Sequence, residues 1–186
     1  RDKLILESNK PTTIIDEKNQ TLYEINKLSY SIKDEVLKGE KIFINTKFNQ
    51  PFSDNYFFKS AIFNLKDQSY IAQDIDINLK KDIFGNKKND PRFKGVSSSS
   101  KNGVTTINKG IFTSCKKNDK CPPWSVQANK ITHDKNKKQI LYDNALIKVY
   151  DIPIIYFPKF FHPGPSVKRQ SGLLTPHINN SNILGS

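Results

Sequence analysis

Short runs of alternating apolar and polar residues, separated by turn-forming residues, constrain this chain more than any other feature. Ile71, Ile75, Ile77 and Leu79 share one parity, while Ala72, Asp74, Asp76 and Asn78 take the other. That two-residue period belongs to a half-buried strand. Leu28, Tyr30 and Ile32 repeat it, as do Trp124, Val126 and Ala128, and then Ala145, Ile147 and Val149. Helical periodicity is hard to find. Lys38-Gly39, Lys66-Asp67-Gln68, Gly85-Asn86 and the segment Asp134 to Lys138 read as turns, and short strands divided by such turns imply an all-β domain.

The strands come in repeated pairs. Residues 61–77 overlay residues 131–147 as strand, charged turn and strand, with Asn64 over Asp134 and Ile71 over Leu141. Residues 28–44 form a third copy, with its turn at Lys33-Asp34-Glu35. Stacked strand pairs of this kind suggest a solenoid-like or jelly-roll array. Between the copies, Lys80 to Lys109, with its four-serine run Ser97 to Ser100, reads as an irregular loop, and a loop of that length is usually functional.

With 186 residues the chain is long enough for one domain with a real core. It contains no methionine, so Arg1 is not expected to be a natural start, and the sequence reads as a piece of a longer chain. No apolar run reaches the length of a membrane-spanning helix. The net charge of +12 points to anionic partners such as nucleic acid, an anionic membrane or a phosphorylated glycolipid. The excess is densest between Lys116 and Lys138, with seven lysines and two aspartates. A nucleic-acid binder is the alternative this charge raises, but it needs aromatics interleaved with lysines on one exposed face. Here Phe57 and Phe58, or Phe160 and Phe161, occur as apolar neighbours, so no nucleic-acid partner is expected.

Catalytic machinery is not expected either. His133, His162 and His177 are far apart, and neither a phosphate-binding glycine loop nor a nucleophile elbow is present. Asp74 and Asp76 share a strand face but read as solvated. Cys115, Cys121, His133 and Asp134 match no standard zinc spacing, so neither a metal nor a cofactor is expected. Cys115 and Cys121 flank a lysine-rich loop and are candidates for a disulfide, local or to a partner elsewhere. Pro153, Pro158, Pro163, Pro165 and Pro176 interrupt apolar, strand-like residues. Proline removes a ladder donor, so these segments are expected at sheet edges, where a partner strand can add.

One series of motifs resembles a known family. It consists of Gly110 to Cys115 (GIFTSC), Trp124-Ser125-Val126, Ile131 to Asp134, Asn144-Ala145, Ile152 to Pro158 (IPIIYFP) and Lys168 to Pro176 (KRQSGLLTP). In order and spacing, across roughly Asn89 to Pro176, it is similar to the LptD (OstA) family of lipopolysaccharide-assembly proteins. Before about Asp82 only the loose strand-pair repeat is shared, and that repeat also occurs in the periplasmic bridge proteins LptA and LptC.

The resemblance implies a folded-over, OstA-like β jelly roll over residues 1–165, whose two antiparallel sheets diverge around a V-shaped apolar groove. It implies a linker and the first strand of a truncated outer-membrane barrel over residues 166–186, the barrel beginning near Ser171. The domain would sit on the periplasmic side of the outer membrane, take lipopolysaccharide from an LptA-like bridge protein and pass it to the barrel, without being an enzyme. Ile75, Ile77, Leu79, Trp124, Val126, Ile147 and Val149 would line the groove for lipid A acyl chains, and rim lysines would meet lipid A phosphates. Residues around Leu22 to Ile32 would form the N-terminal edge that receives a bridge strand. An LptE-like lipoprotein would act through the missing barrel. Cys115 falls on the family's cysteine, which implies a bridge to barrel cysteines, while a local Cys115–Cys121 bridge stays open. Pro153, Pro158, Pro163 and Pro176 would form a weakly paired gate between groove and barrel.

Overall fold

A computed structural model of the chain describes residues 4–50, 53–81, 89–117 and 123–163. These residues form strands and turns and contain no helix. The strands are β1 (Ile5–Ser8), β2 (Thr12–Asp16), β3 (Thr21–Ser31), β4 (Val36–Thr46), β5 (Asp54–Asn64), β6 (Ser69–Asn78), β7 (Arg92–Lys101), β8 (Val104–Thr113), β9 (Trp124–Asp134), β10 (Gln139–Val149) and β11 (Ile152–Pro163). They make one antiparallel sheet of 11 strands in the order β1-β3-β4-β5-β6-β7-β8-β9-β10-β11, with β2 also paired to β3. The sheet does not close on itself, so β11 is an edge on one side, and β1 and β2, end to end, are the edge on the other.

The repeated strand pair is explained by its turns. Asn64 Oδ1 accepts the amides of Lys66 and Asp67, and Asp134 Oδ1 accepts those of Asn136 and Lys137. A short polar side chain that captures the following amides closes each turn locally. Each turn ends in a residue with positive φ: Glu35, Gln68, Gly103 and Lys138.

A second left-handed residue follows each turn at the same spacing, at Lys41, Asp74, Lys109 and Asn144. These lie in mid-strand, and the ladder is interrupted there. Pairing runs Glu40↔Ser60 then Ile42↔Phe58, leaving out Lys41 and Lys59. It likewise passes over Asp74 and Val96, and Asn144 and Pro158. These interruptions line up as a crease across the sheet, reaching the opposite edge at the β1–β2 break beside Pro11. Buried positions step by three residues across it, from Gly39 to Ile42 in β4 and from Ala72 to Ile75 in β6. An unbroken strand keeps period two, so a step of three means that each strand bends and turns its side chains to keep one face inward.

The bend explains the core. Buried apolar residues from both sides of the crease form one cluster, including Ile25, Ile42, Phe58, Ile75, Phe112, Ile131 and Tyr142. Among the described residues no other element covers this face, so the halves cover each other. The fold is therefore all-β and jelly-roll-like, and its two layers are the halves of a single folded sheet.

Four local expectations change. Lys38-Gly39 is not a turn but lies inside β4, because Gly39 leaves the space that Ile25 occupies. The stretch from Lys80 to Lys109 is not one loop: it holds β7 and half of β8, hidden from a hydropathy reading because the serines take inward as well as outward positions. Ile71 does not share a face with Ile75. It is 65% exposed while Ala72 is 1% exposed, since the crease at Asp74 inverts the parity. Leu22 to Ile32 is not a free edge, because β3 is paired on both sides. The Gly85-Asn86 turn falls outside the described residues.

A left-handed conformation costs a non-glycine residue about 1–2 kcal/mol, partly offset by glycine's greater freedom when unfolded. Lys41→Gly and Lys109→Gly are each expected to stabilise the fold by about 0.5–1 kcal/mol, read as a higher urea midpoint at unchanged slope. No change, or a loss, would show that the lysine side chains contribute more than the backbone strain removes.

Candidate functional site

The concave face is built from rows of directly paired residues. Next to the crease stand small ones. Gly39, Ala61 and Ala72 are paired across β4, β5 and β6, and Gly110, Ala128 and Ala145 across β8, β9 and β10. A tight inward bend leaves little room, and at the two glycines even a Cβ would collide. A Cβ on Gly110 would sit 2.6 Å from Ile131 Cδ1, and one on Gly39 2.7 Å from Ile25 Cγ2.

Large residues stand on the other side of the crease from each small row. Ile42, Phe58 and Ile75 are paired in β4 to β6, and Ile107, Ile131, Tyr142 and Phe160 in β8 to β11. The bulk thus changes sides between the two ends of the sheet, and the filled part of the interior runs diagonally.

All seven residues expected to line a groove lie on this concave face, in the half of the sheet that ends at the β10–β11 turn. Ile75, Ile77 and Val126 are buried in the core cluster, and Leu79, Trp124 and Ile147 pack partly buried against it. Val149 is half-buried. The middle of the interior is therefore packed, and these side chains form part of its apolar filling.

Apolar side chains of the same face are uncovered at two opposite corners. At the N-terminal edge Leu4, Leu6 and Ile32 face inward, since Leu6 pairs with Tyr30, yet Leu6 is 57% exposed. At the C-terminal edge Ile155 pairs with Ile147 and is 46% exposed. Sequence parity alone does not reveal these corners, because it records which face a residue takes and not what lies opposite.

The prolines fall where missing ladder donors do least harm. Pro153, Pro158 and Pro163 are in β11, an edge strand, and Pro158 stands opposite Asn144 at the crease. Pro176 and Cys121 lie outside the described residues. Cys115 is half-buried, with its thiol 3.6 Å from the Trp124 carbonyl, and Arg92 donates to the Cys115 carbonyl.

The convex face carries ion pairs beside exposed apolar side chains such as Phe57, Ile62 and Ile71. Lys59 pairs with Asp74 at 3.2 Å and Lys94 with Asp76 at 3.3 Å. These two aspartates are thus matched to separate lysines. Such exposed pairs each contribute little to stability. At one end of the sheet a polar cleft of about 200 Å³ is lined by Asn55, Asn78, Lys81, Asp90 and Lys117 among others. Within it Lys81 and Asp90 form an ion pair at 3.1 Å.

No protein-family model matches the chain. A stretch of 83 residues, 43% of the chain, is 31% identical to the LPS-assembly protein LptD of Polaromonas sp., of which it spans 10%. Over 74 residues, 40% of the chain, it is 32% identical to LptD of Pseudoalteromonas translucida, again spanning 10%. Over 73 residues, 39% of the chain, it is 34% identical to LptD of Yersinia pestis, spanning 9%. The chain thus covers about a tenth of the curated relatives it matches. The chain is accordingly related to the LPS-assembly protein LptD, matched over about two fifths of its length and consistent with an LptD N-terminal domain.

Proposed function

We propose that residues 1–165 form a periplasmic lipid-binding domain of an outer-membrane LPS-assembly protein, and that residues 166–186 lead into its barrel. The observation that carries this reading is the pair of uncovered apolar corners on an otherwise packed concave face. Acyl chains gain about 25 cal/mol per Å² of apolar surface removed from water, and inward-facing leucine and isoleucine left exposed at both ends of one interior supply that surface.

In this reading lipopolysaccharide enters at Leu4, Leu6 and Ile32 and leaves at Ile155 and Phe157. Ile75, Ile77, Leu79, Trp124, Val126, Ile147 and Val149 line the path between, and the halves part along the crease to admit the chains. The edge formed by β1 and β2 receives a strand of an LptA-like bridge protein. Pro153, Pro158, Pro163 and Pro176 keep the opposite side weakly paired toward the barrel, through which an LptE-like lipoprotein acts.

Photocrosslinking groups at Ile75, Ile77 and Ile147 are expected to label lipopolysaccharide, and groups at Leu6 and Ile155 to label it more strongly. Labelling from the outward position Asp76 alone would sink the reading. Ile155→Asp is expected to weaken retention of lipopolysaccharide about tenfold while leaving the unfolding free energy from urea titration within about 0.5 kcal/mol of the parent, because the residue is half exposed.

A further inference from the structure

The last residues of β11 are held by an arrangement that the lipid-binding reading does not use. His162 is only 5% exposed. Its Nδ1 lies 2.8 Å from the Pro163 carbonyl and its Nε2 lies 3.0 Å from the Tyr142 hydroxyl. A carbonyl oxygen only accepts, so Nδ1 carries the hydrogen. Nε2 then presents its lone pair, and Tyr142 donates to it. Tyr142 is 1% exposed and its ring stacks on Phe160 at 4.5 Å with an interplanar angle of 3°. The neutral imidazole therefore ties the end of β11 to the floor of the core through a fully satisfied pair of hydrogen bonds.

A second proton has no comparable partner. It would arrive at Nε2, facing a hydroxyl whose own hydrogen must then find another acceptor among apolar neighbours. Burial holds the Tyr142 phenol far above its usual range, so phenolate does not form to balance an imidazolium. On β9, His133 stands on the same row, both histidines being paired with Ile140. Asp134 and Lys135 lie beside His133 and act on it with opposite sign. On the convex face Asp143 pairs with Lys159 at 4.0 Å and is turned away from His162. Burial first, opposed by the Pro163 carbonyl, lowers the pKa of His162, and burial also lowers that of His133.

Among the described residues β11 is an edge strand paired with β10 alone, and its ladder is already broken opposite Asn144 at Pro158, which has no amide hydrogen to donate. We propose that Lys159–Pro163 is an acid-released latch, with buried neutral His162 as its sensor and Pro158 as the point where unzipping stops. Release uncovers Ile140 and Tyr142 on the concave face, widening access to the interior from the C-terminal edge.

The sign follows from linkage. The released histidine has an ordinary pKa near 6.5 and the docked one a lower value. Docking is thus independent of pH above about 6.5, and weakens as pH falls below it, by up to about tenfold per pH unit for one proton.

Hydrogen exchange of the full chain, corrected for intrinsic rates, tests this between pH 7.5 and 5.5. Those of amides 159–162 that bond to β10 are expected to lose up to about tenfold in protection across this range, most of it below pH 6.5, while those of β4 and β5 keep theirs, and His162→Gln is expected to abolish the difference. The same loss in His162→Gln overturns the proposal, as does a uniform loss across the sheet, which is ordinary acid unfolding. Should His162→Gln fail to fold, nuclear magnetic resonance titration of His162 in the unaltered chain decides. A midpoint below about 6.5 with the proton on Nδ1 supports the latch, and a midpoint at or above it overturns it.

Discussion

Tyr142→Ala is expected to destabilise the fold by about 3–5 kcal/mol, the range for removing a large buried aromatic. Tyr142 is among the largest fully buried side chains. Its ring faces Phe160 in parallel, its row continues to Ile131 in β9, and its hydroxyl is the partner of His162 Nε2. Truncation leaves a cavity that the rigid strands on both sides cannot collapse into, and it strands a buried imidazole nitrogen. Tyr142→Phe separates these effects. It keeps the ring and leaves only Nε2 unsatisfied, so a loss of about 1–3 kcal/mol is expected. Urea unfolding followed by circular dichroism measures both. A loss below about 1 kcal/mol for the alanine variant would show that the interior at β10 and β11 is not packed as described.

Gly95→Val is expected to be damaging for the opposite reason. Gly95 sits beside the crease in β7, where the ladder passes from Ser97↔Asn108 to Lys94↔Ile111. A Cβ there would lie 2.5 Å from Ile107 Cγ2 and 3.2 Å from the Asn108 carbonyl oxygen. The first atom is a branch methyl with a nearly fixed rotamer and the second is backbone, so neither neighbour can give way without moving a strand. Overpacking of this kind costs about 1–3 kcal/mol and sometimes more. Gly95→Ala should cost less. Combined with Ile107→Ala it should recover part of the loss, with a coupling of at least about 0.5–1 kcal/mol. Strict additivity of the two alanine substitutions would contradict a steric role for this glycine.

These two sites show how differently parts of the fold can be read in advance. Asn64 and Asp134 are legible as turn formers because their hydrogen bonds reach only the next few amides. The strand pairs around them follow from alternation, which is also local. Gly95 gives no such signal, since nothing nearby in sequence shows that Ile107 will press against it. The crease hides in the same way. Lys41, Asp74 and Lys109 are not residues that announce a left-handed backbone, and they adopt it because the sheet must bend there for its halves to bury one another.

The candidate site divides along the same line. The seven inward residues named from alternation and family resemblance do share one face, because parity within an unbroken strand segment is a property of the chain. Which of them are sealed and which corners stay open depends on the size of side chains in the opposite half, tens of residues away.

From local hydrogen bonding and period-two alternation, the sequence by itself determined an all-β chain of repeated antiparallel strand pairs with one apolar face. Only the tertiary structure decided that the sheet folds on a crease, that its middle is packed while opposite corners stay uncovered, and that His162 meets Tyr142. The physical reason is that mutual burial is settled by volumes brought together across the fold, which no stretch of neighbouring residues records.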